Sequence, residues 1–147
     1  MTDLPKANIS IVTLGVDDLA RSTKFYTDLG WINTTASQES VTFLQGHAIV
    51  LGLYGRAALA EDAKVENTPA GFRGVTLALN LPTEEITDRY FEMALGVGAK
   101  EIKRPEKVFW GGYSGYFADP DGHLWEVAYN PFFTGGDHGQ LELELKT

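Results

Sequence analysis

Apolar and polar positions change period several times along this chain, and the changes mark out its elements. Ile9 to Val16 is a strand-like run ending at Asp17-Asp18, a pair suited to capping the helix that follows. Leu19, Ser22, Phe25, Tyr26 and Leu29 fall on one helical face, and Gly30 stands where a C-terminal cap takes left-handed geometry. Trp31 to Thr35, Val41 to Leu44 and Ala48 to Tyr54 read as strands, with Gln45-Gly46-His47 as a turn. Arg56 to Ala63 predicts a short helix, and Lys64 to Gly71 reads as connecting chain. The order then recurs. Val75 to Leu81 predicts a strand, and Thr83 caps a helix carrying Ile86, Tyr90, Met93, Ala94 and Val97 that ends at Gly98. Lys100 to Lys103 is a short strand. The apolar runs Tyr116–Ala118 and Leu124–Tyr129 flank Asp119-Pro120-Asp121-Gly122, whose turn chemistry makes the segment a hairpin.

The chain is therefore an α+β protein, one βαβββ unit written twice with almost no identity between the copies. Two such modules give mixed sheets with helices on one face and a concave opposite face, and together they form a concave pocket. One unit over 1–147 is predicted, with modules at about 8–55 and 73–131, a linker 56–72 and a tail 132–147.

Within the hairpin, alternation puts Leu124, Glu126 and Ala128 on one face and Trp125, Val127 and Tyr129 on the other. The bulky trio belongs against helices. Glu126 then faces small and apolar groups, where an ionised carboxylate needs a metal, a partner or water. Two readings stand: a site carboxylate, or a solvated residue on the open face of an antiparallel sheet. Trp110, Tyr113 and Tyr116 lie upstream, and glycines at 111, 112 and 115 would let backbone approach a ligand. Aromatic faces beside a carboxylate suit a cationic or planar guest. Asn80, at a strand end in the second module, is a further candidate for pocket polarity, with a backbone-bonded loop residue as the ordinary alternative.

Composition narrows the classes. The 147 residues carry a net charge of -8 and include no cysteine, so disulfides, thiolate ligands and cysteine nucleophiles are excluded. That acidity disfavours binding to nucleic acid. No apolar run is long enough for a membrane span, and the start MTDLPKANIS lacks the basic and apolar regions of a signal peptide, so the cytoplasm is the expected location. His47 and His123 sit in or beside turns and His138 in the glycine-rich tail, and no pair has chelate spacing.

Asp18-Leu19-Ala20-Arg21-Ser22, Phe25-Tyr26 and Leu29-Gly30-Trp31, followed by Asp119-Pro120-Asp121-Gly122-His123-Leu124-Trp125-Glu126-Val127 and Asn130-Pro131, resemble the vicinal oxygen chelate superfamily, which includes glyoxalase I, bleomycin-resistance proteins and extradiol dioxygenases. The match runs from about Ile9 to Pro131. Trp110-Gly111-Gly112-Tyr113-Ser114-Gly115-Tyr116 resembles a glyoxalase-like subgroup of mostly unassigned function. In metal-dependent relatives four strand positions face the pocket and supply histidine or glutamate. Carried over, they fall at Ile11, near Leu51, at about Thr76 and at Glu126, of which only Glu126 is a ligand type. The resemblance thus implies a pocket lined by these positions, no bound cofactor, and a homodimer. The leading expectation is a small-molecule-binding protein taking a cationic or aromatic molecule beside Glu126 without the usual metal. The alternative is a lyase, isomerase or dioxygenase-type enzyme, dependent on a divalent metal or using Glu126 as general base. A third class is an interaction protein whose tail Leu141-Glu142-Leu143-Glu144-Leu145 adds a strand to a partner's sheet.

Overall fold

Local capping chemistry starts both long helices. In the computed structural model, which describes residues 4, 7–68, 71–133 and 139–146, strand β1 (Ile11–Val16) leads into α1 (Leu19–Asp28), where the Asp18 carboxylate accepts from the Arg21 N–H at 3.0 Å. Such a cap contributes about 1 kcal/mol. Strands β2 (Ile32–Asn33), β3 (Val41–Gln45) and β4 (Val50–Gly55) follow, and then α2 (Arg56–Asp62). The second copy begins at β5 (Leu77–Asn80). Thr83 caps α3 (Glu84–Gly96) by accepting from the Ile86 N–H at 3.0 Å, and β6 (Lys100–Lys107), β7 (Tyr113–Ala118) and β8 (Leu124–Tyr129) complete it. Gly30 and Gly98 each follow a helix C-cap with φ of 106° and 115°, left-handed positions that a side chain would strain.

The repeat is visible in the topology. One sheet has the order β1-β4-β3-β2 and the other β5-β8-β7-β6, and in each the first and last strands of the module pair in parallel while the remaining pairs are antiparallel. The chain divides into two units, Met1–Asn67 and Thr68–Thr147. Helix α2, placed by the sequence pattern in the linker, packs against β1 and β4 and so belongs to the first unit.

In the first unit α1 covers one sheet face. Leu44 stands opposite Leu51 and Thr42 opposite Leu53, and the Thr42 and Thr23 hydroxyls hydrogen-bond at 2.9 Å, tying β3 to α1. Leu51 and Leu53 are fully buried there. In the second unit α3 covers β7 and β8 through Phe91 and Ala94, against Phe117, Trp125 and Val127, with the Phe117 and Trp125 rings stacked at 6.4 Å. No helix among the described residues is long and apolar enough to cross a membrane.

Several expected boundaries and one face are corrected. The buried stripe of α3 is Thr87, Phe91 and Ala94; of the expected residues Ala94 is buried, Ile86, Tyr90 and Val97 are half-buried, and Met93 is 42% exposed, so the core side of the helix is shifted toward Thr87 and Phe91. A polar residue can occupy that stripe because the Thr87 hydroxyl donates to the Thr83 carbonyl at 2.8 Å. Strand β6 extends past Lys103 to Lys107 across two irregularities in its pairing with β7. It contains Pro105, which an edge strand tolerates. Strands β2 and β5 are shorter than the apolar runs containing them.

Candidate functional site

The face of the second sheet turned away from α3 is built rung by rung. Directly opposite residues share a face, so pairing of Ala78 with Glu126, Glu126 with Tyr116, and Tyr116 with Lys103 draws one row across all four strands. The next row sets Asn80 against Ala128 and Ala128 against Ser114. The irregularities in β6 sort its charges between faces: Lys103 pairs with Glu106 at 3.4 Å, while Arg104 and Lys107 reach Glu92 at 2.6 Å and Glu84 at 3.2 Å on α3.

On this face lies a cavity of about 740 Å³. Its floor is Ala78, Asn80, Glu126 and Ala128, its aromatic side is Trp110, Phe132 and Phe133, and Leu79, Asn130, Gly139 and Leu141 complete the described lining. Glu126 is half-buried and is the one charged side chain among the described lining residues. The Tyr116 side chain stands opposite the Glu126 carboxylate on this face, and burial, then the neighbouring negative charge, push the phenol pKa upward. A carboxylate flanked by a phenol on the next strand, with two carboxamides and three aromatic rings, can accept hydrogen bonds from a cationic or N–H-bearing guest and cover its flat faces.

The predicted site residues divide. Glu126, Trp110 and Asn80 come together in the cavity, and Tyr116 stands directly behind the carboxylate. Tyr113 does not join them. Its odd spacing from Tyr116 turns it to the helix side, where its hydroxyl donates to Asp88 of α3 at 2.7 Å and this bond pushes its pKa up to about 12. Leu51 also lies on the wrong face, 1% exposed beneath α1. Its neighbour Gly52 occupies the open face of the first sheet, where an added Cβ would meet Ile11 and Phe43 at 3.6 Å and Thr13 at 3.0 Å. Ile11 is on that open face. Thr76 is exposed and precedes β5, so Ala78 is the residue that stands beside Glu126.

The three glycines are filled from within the chain rather than left open to a guest. A Cβ on Gly111 would strike the Phe132 ring at 2.9 Å, one on Gly112 the Trp110 ring at 1.6 Å, and one on Gly115 the Pro105 nitrogen of β6 at 2.5 Å. The small residues therefore let Trp110 and Phe132 lie close to their own backbone as a wall.

Sequence reasoning missed Phe132, Phe133, Asn130, Gly139 and Leu141. The adjacent phenylalanines after Pro131 and the alternating leucines of the tail were signals, but both lie beyond the last strand and only tertiary folding returns them to the sheet. His47 is exposed at the turn between β3 and β4, His123 follows the hairpin turn with its N–H bonded to Asp119 at 2.8 Å, and His138 lies outside the described residues. Among the described residues, no three His, Asp or Glu side chains are grouped to hold a metal ion.

A βαβββ unit repeated as two four-stranded mixed sheets is the architecture of the vicinal oxygen chelate class of fold. Residues 8–127 match the Glyoxalase/Bleomycin resistance protein/Dioxygenase superfamily, and the chain belongs to it. It is similar to the crystal structure of a glyoxalase-related enzyme from Fulvimarina pelagi, with 30% identity over 94% of this chain and 99% of that one and a TM-score of 0.82. It is also similar to a glyoxalase/bleomycin resistance protein/dioxygenase from Nocardioides, at 25% identity, 95% and 92% coverage and a TM-score of 0.71. A lactoylglutathione lyase from Agrobacterium tumefaciens shares the fold at 21% identity, with 86% and 96% coverage and a TM-score of 0.64. No curated protein matches the chain.

Proposed function

We propose that this protein is a small-molecule-binding member of the superfamily that takes a flat, cationic aromatic guest in the second module, beside Glu126 and without a bound metal. The observation that carries the reading is a half-buried carboxylate set in a cavity whose other described lining side chains are uncharged. A cation replaces the water the carboxylate loses, and the Trp110, Phe132 and Phe133 rings cover its planar surface. The volume of about 740 Å³ falls in the range of small-molecule pockets, about 300–1,000 Å³. The metal-free reading is supported by the surroundings of Glu126, where Ala78 and Tyr116 are the cross-strand neighbours and neither offers the imidazole or second carboxylate a divalent ion prefers.

Proflavine, a fused-ring aromatic cation, is a suitable probe, followed by fluorescence titration at neutral pH. The native protein is expected to bind it, and Glu126→Gln to weaken binding at least tenfold with an unchanged melting temperature. Equal affinity in Glu126→Gln sinks the proposal. So does elemental analysis showing about one zinc, nickel, iron or manganese ion per purified chain that disappears in the same variant.

The second reading, an enzyme of lyase, isomerase or dioxygenase type with Glu126 as general base, is favoured by the pairing of Tyr116 with Glu126 across β7 and β8, which sets a phenol and a carboxylate side by side on the open face. Turnover abolished by Glu126→Gln with a bell-shaped pH profile would replace the binding reading with this one. We further propose that the chain forms a homodimer, for which the exposed Ile9, Ile11 and Ile32 of the first module supply apolar surface. Light scattering is expected to give twice the chain mass, and a monomer at high concentration contradicts the assignment.

A further inference from the structure

The cavity has one wall that comes from neither the sheet nor the aromatic turn. Gly139 and Leu141 lie in the chain beyond the last strand, yet both line the same space as Glu126. Contact at Gly139 shows how the segment is seated: a Cβ there would fall 2.4 Å from the carbonyl oxygen of Asn80, and its φ of 82° is a conformation that side chains rarely take. Asn80 ends β5, and β5 is the outer strand of the sheet. An outer strand offers backbone groups that no neighbouring strand has used, and the segment sits against that edge with no side chain to hold it off.

The alternating leucines have different surroundings. Leu141 is 41% exposed, Leu143 52% and Leu145 85%. Exposure rises along the segment, and among these leucines Leu141 alone lines the cavity. The pattern that could have served as a free strand for a partner's sheet is thus engaged, at its first leucine, with the chain's own pocket.

We propose that Leu141 is a specificity-determining residue, held by the close approach of Gly139 to Asn80, and that it limits the size of the planar guest the cavity admits. The inference rests on the binding reading above and deepens it. The sheet floor and Glu126 recognise charge, whereas Leu141 stands on a separate segment and sets length. Guests of one ring and of three fused rings should therefore respond differently to a change in this one side chain.

The test uses the full chain and two cationic probes, proflavine with three fused rings and benzamidine with one. Leu141→Trp is expected to weaken proflavine at least tenfold and to change benzamidine by less than about threefold, while Leu145→Trp, at the exposed end, changes neither. Loss of both probes to the same extent, or of neither, overturns the assignment to Leu141, while Glu126→Gln measured alongside reports separately on the binding reading. A second measurement needs no ligand. Gly139→Val must lift the segment from Asn80, so amide hydrogen exchange of the peptide containing residues 77–80 is expected to rise at least fivefold while that of β7 is unchanged. Unaltered exchange at 77–80 in a folded Gly139→Val protein overturns the seating of the segment, whatever the probes do.

Discussion

Phe91→Ala is expected to lower stability by about 3–5 kcal/mol, the usual cost of removing a buried phenylalanine. Phe91 is fully buried where α3 meets the second sheet, and the Arg104 guanidinium lies over its ring at 5.5 Å. Alanine would leave a void under the strands that carry Glu126 and would also remove the surface on which Arg104 rests. The melting temperature should fall by about 10 °C or more. Met93→Ala, two positions along the same helix, provides the contrast. Its side chain is 42% exposed, so a change within roughly 1 kcal/mol is expected. Thermal and urea melts of the two variants read the buried face of α3 directly. Equal losses from the two variants would contradict the exposure of Met93, and a loss from Met93→Ala alone would place the core on the face carrying Met93.

Gly115→Ala should be nearly as damaging, through backbone rather than cavity. The new methyl would lie 2.5 Å from the Pro105 nitrogen, 2.6 Å from the Lys103 carbonyl oxygen and 2.9 Å from the Arg104 carbonyl carbon. Main-chain atoms on the neighbouring strand cannot rotate away as a side chain would. Strand β6 must therefore move off β7, at a cost of about 1–3 kcal/mol or more by comparison with overpacked cores. Displacement there also shifts Tyr116, the residue following Gly115, which stands opposite Glu126. Reduced melting temperature together with weakened proflavine binding is the expected pair of results. Gly96→Ala is the control, because nothing lies within 4 Å of a Cβ at that site. A Gly115→Ala protein as stable as the Gly96→Ala protein would contradict the close approach of β6.

The sequence alone determined the features that depend on neighbours along the chain. Asp18 and Thr83 announce helix starts because a short acceptor side chain can reach the N–H three residues on, and both do so. The Asp119–Gly122 turn and the alternation after it put Glu126 opposite the core-facing Trp125 and Val127, since side chains in a strand change face at each step. The repeated order of elements then implied two like modules, and the two sheets have matching strand orders.

What only the tertiary structure decided depends on register and on packing between distant segments. Tyr113 and Tyr116 look alike in sequence, but β7 stands between a helix on one face and the cavity on the other, so three residues of spacing send one phenol to Asp88 and the other to Glu126. The position near Leu51 missed the open face by a single residue, and one residue in a strand is a full reversal of direction. Phe132, Phe133 and Leu141 reach the cavity from beyond the last strand. No periodicity forecasts where such a segment lies, because its place is set by which sheet edge and which aromatic rings it can cover once the second module has folded.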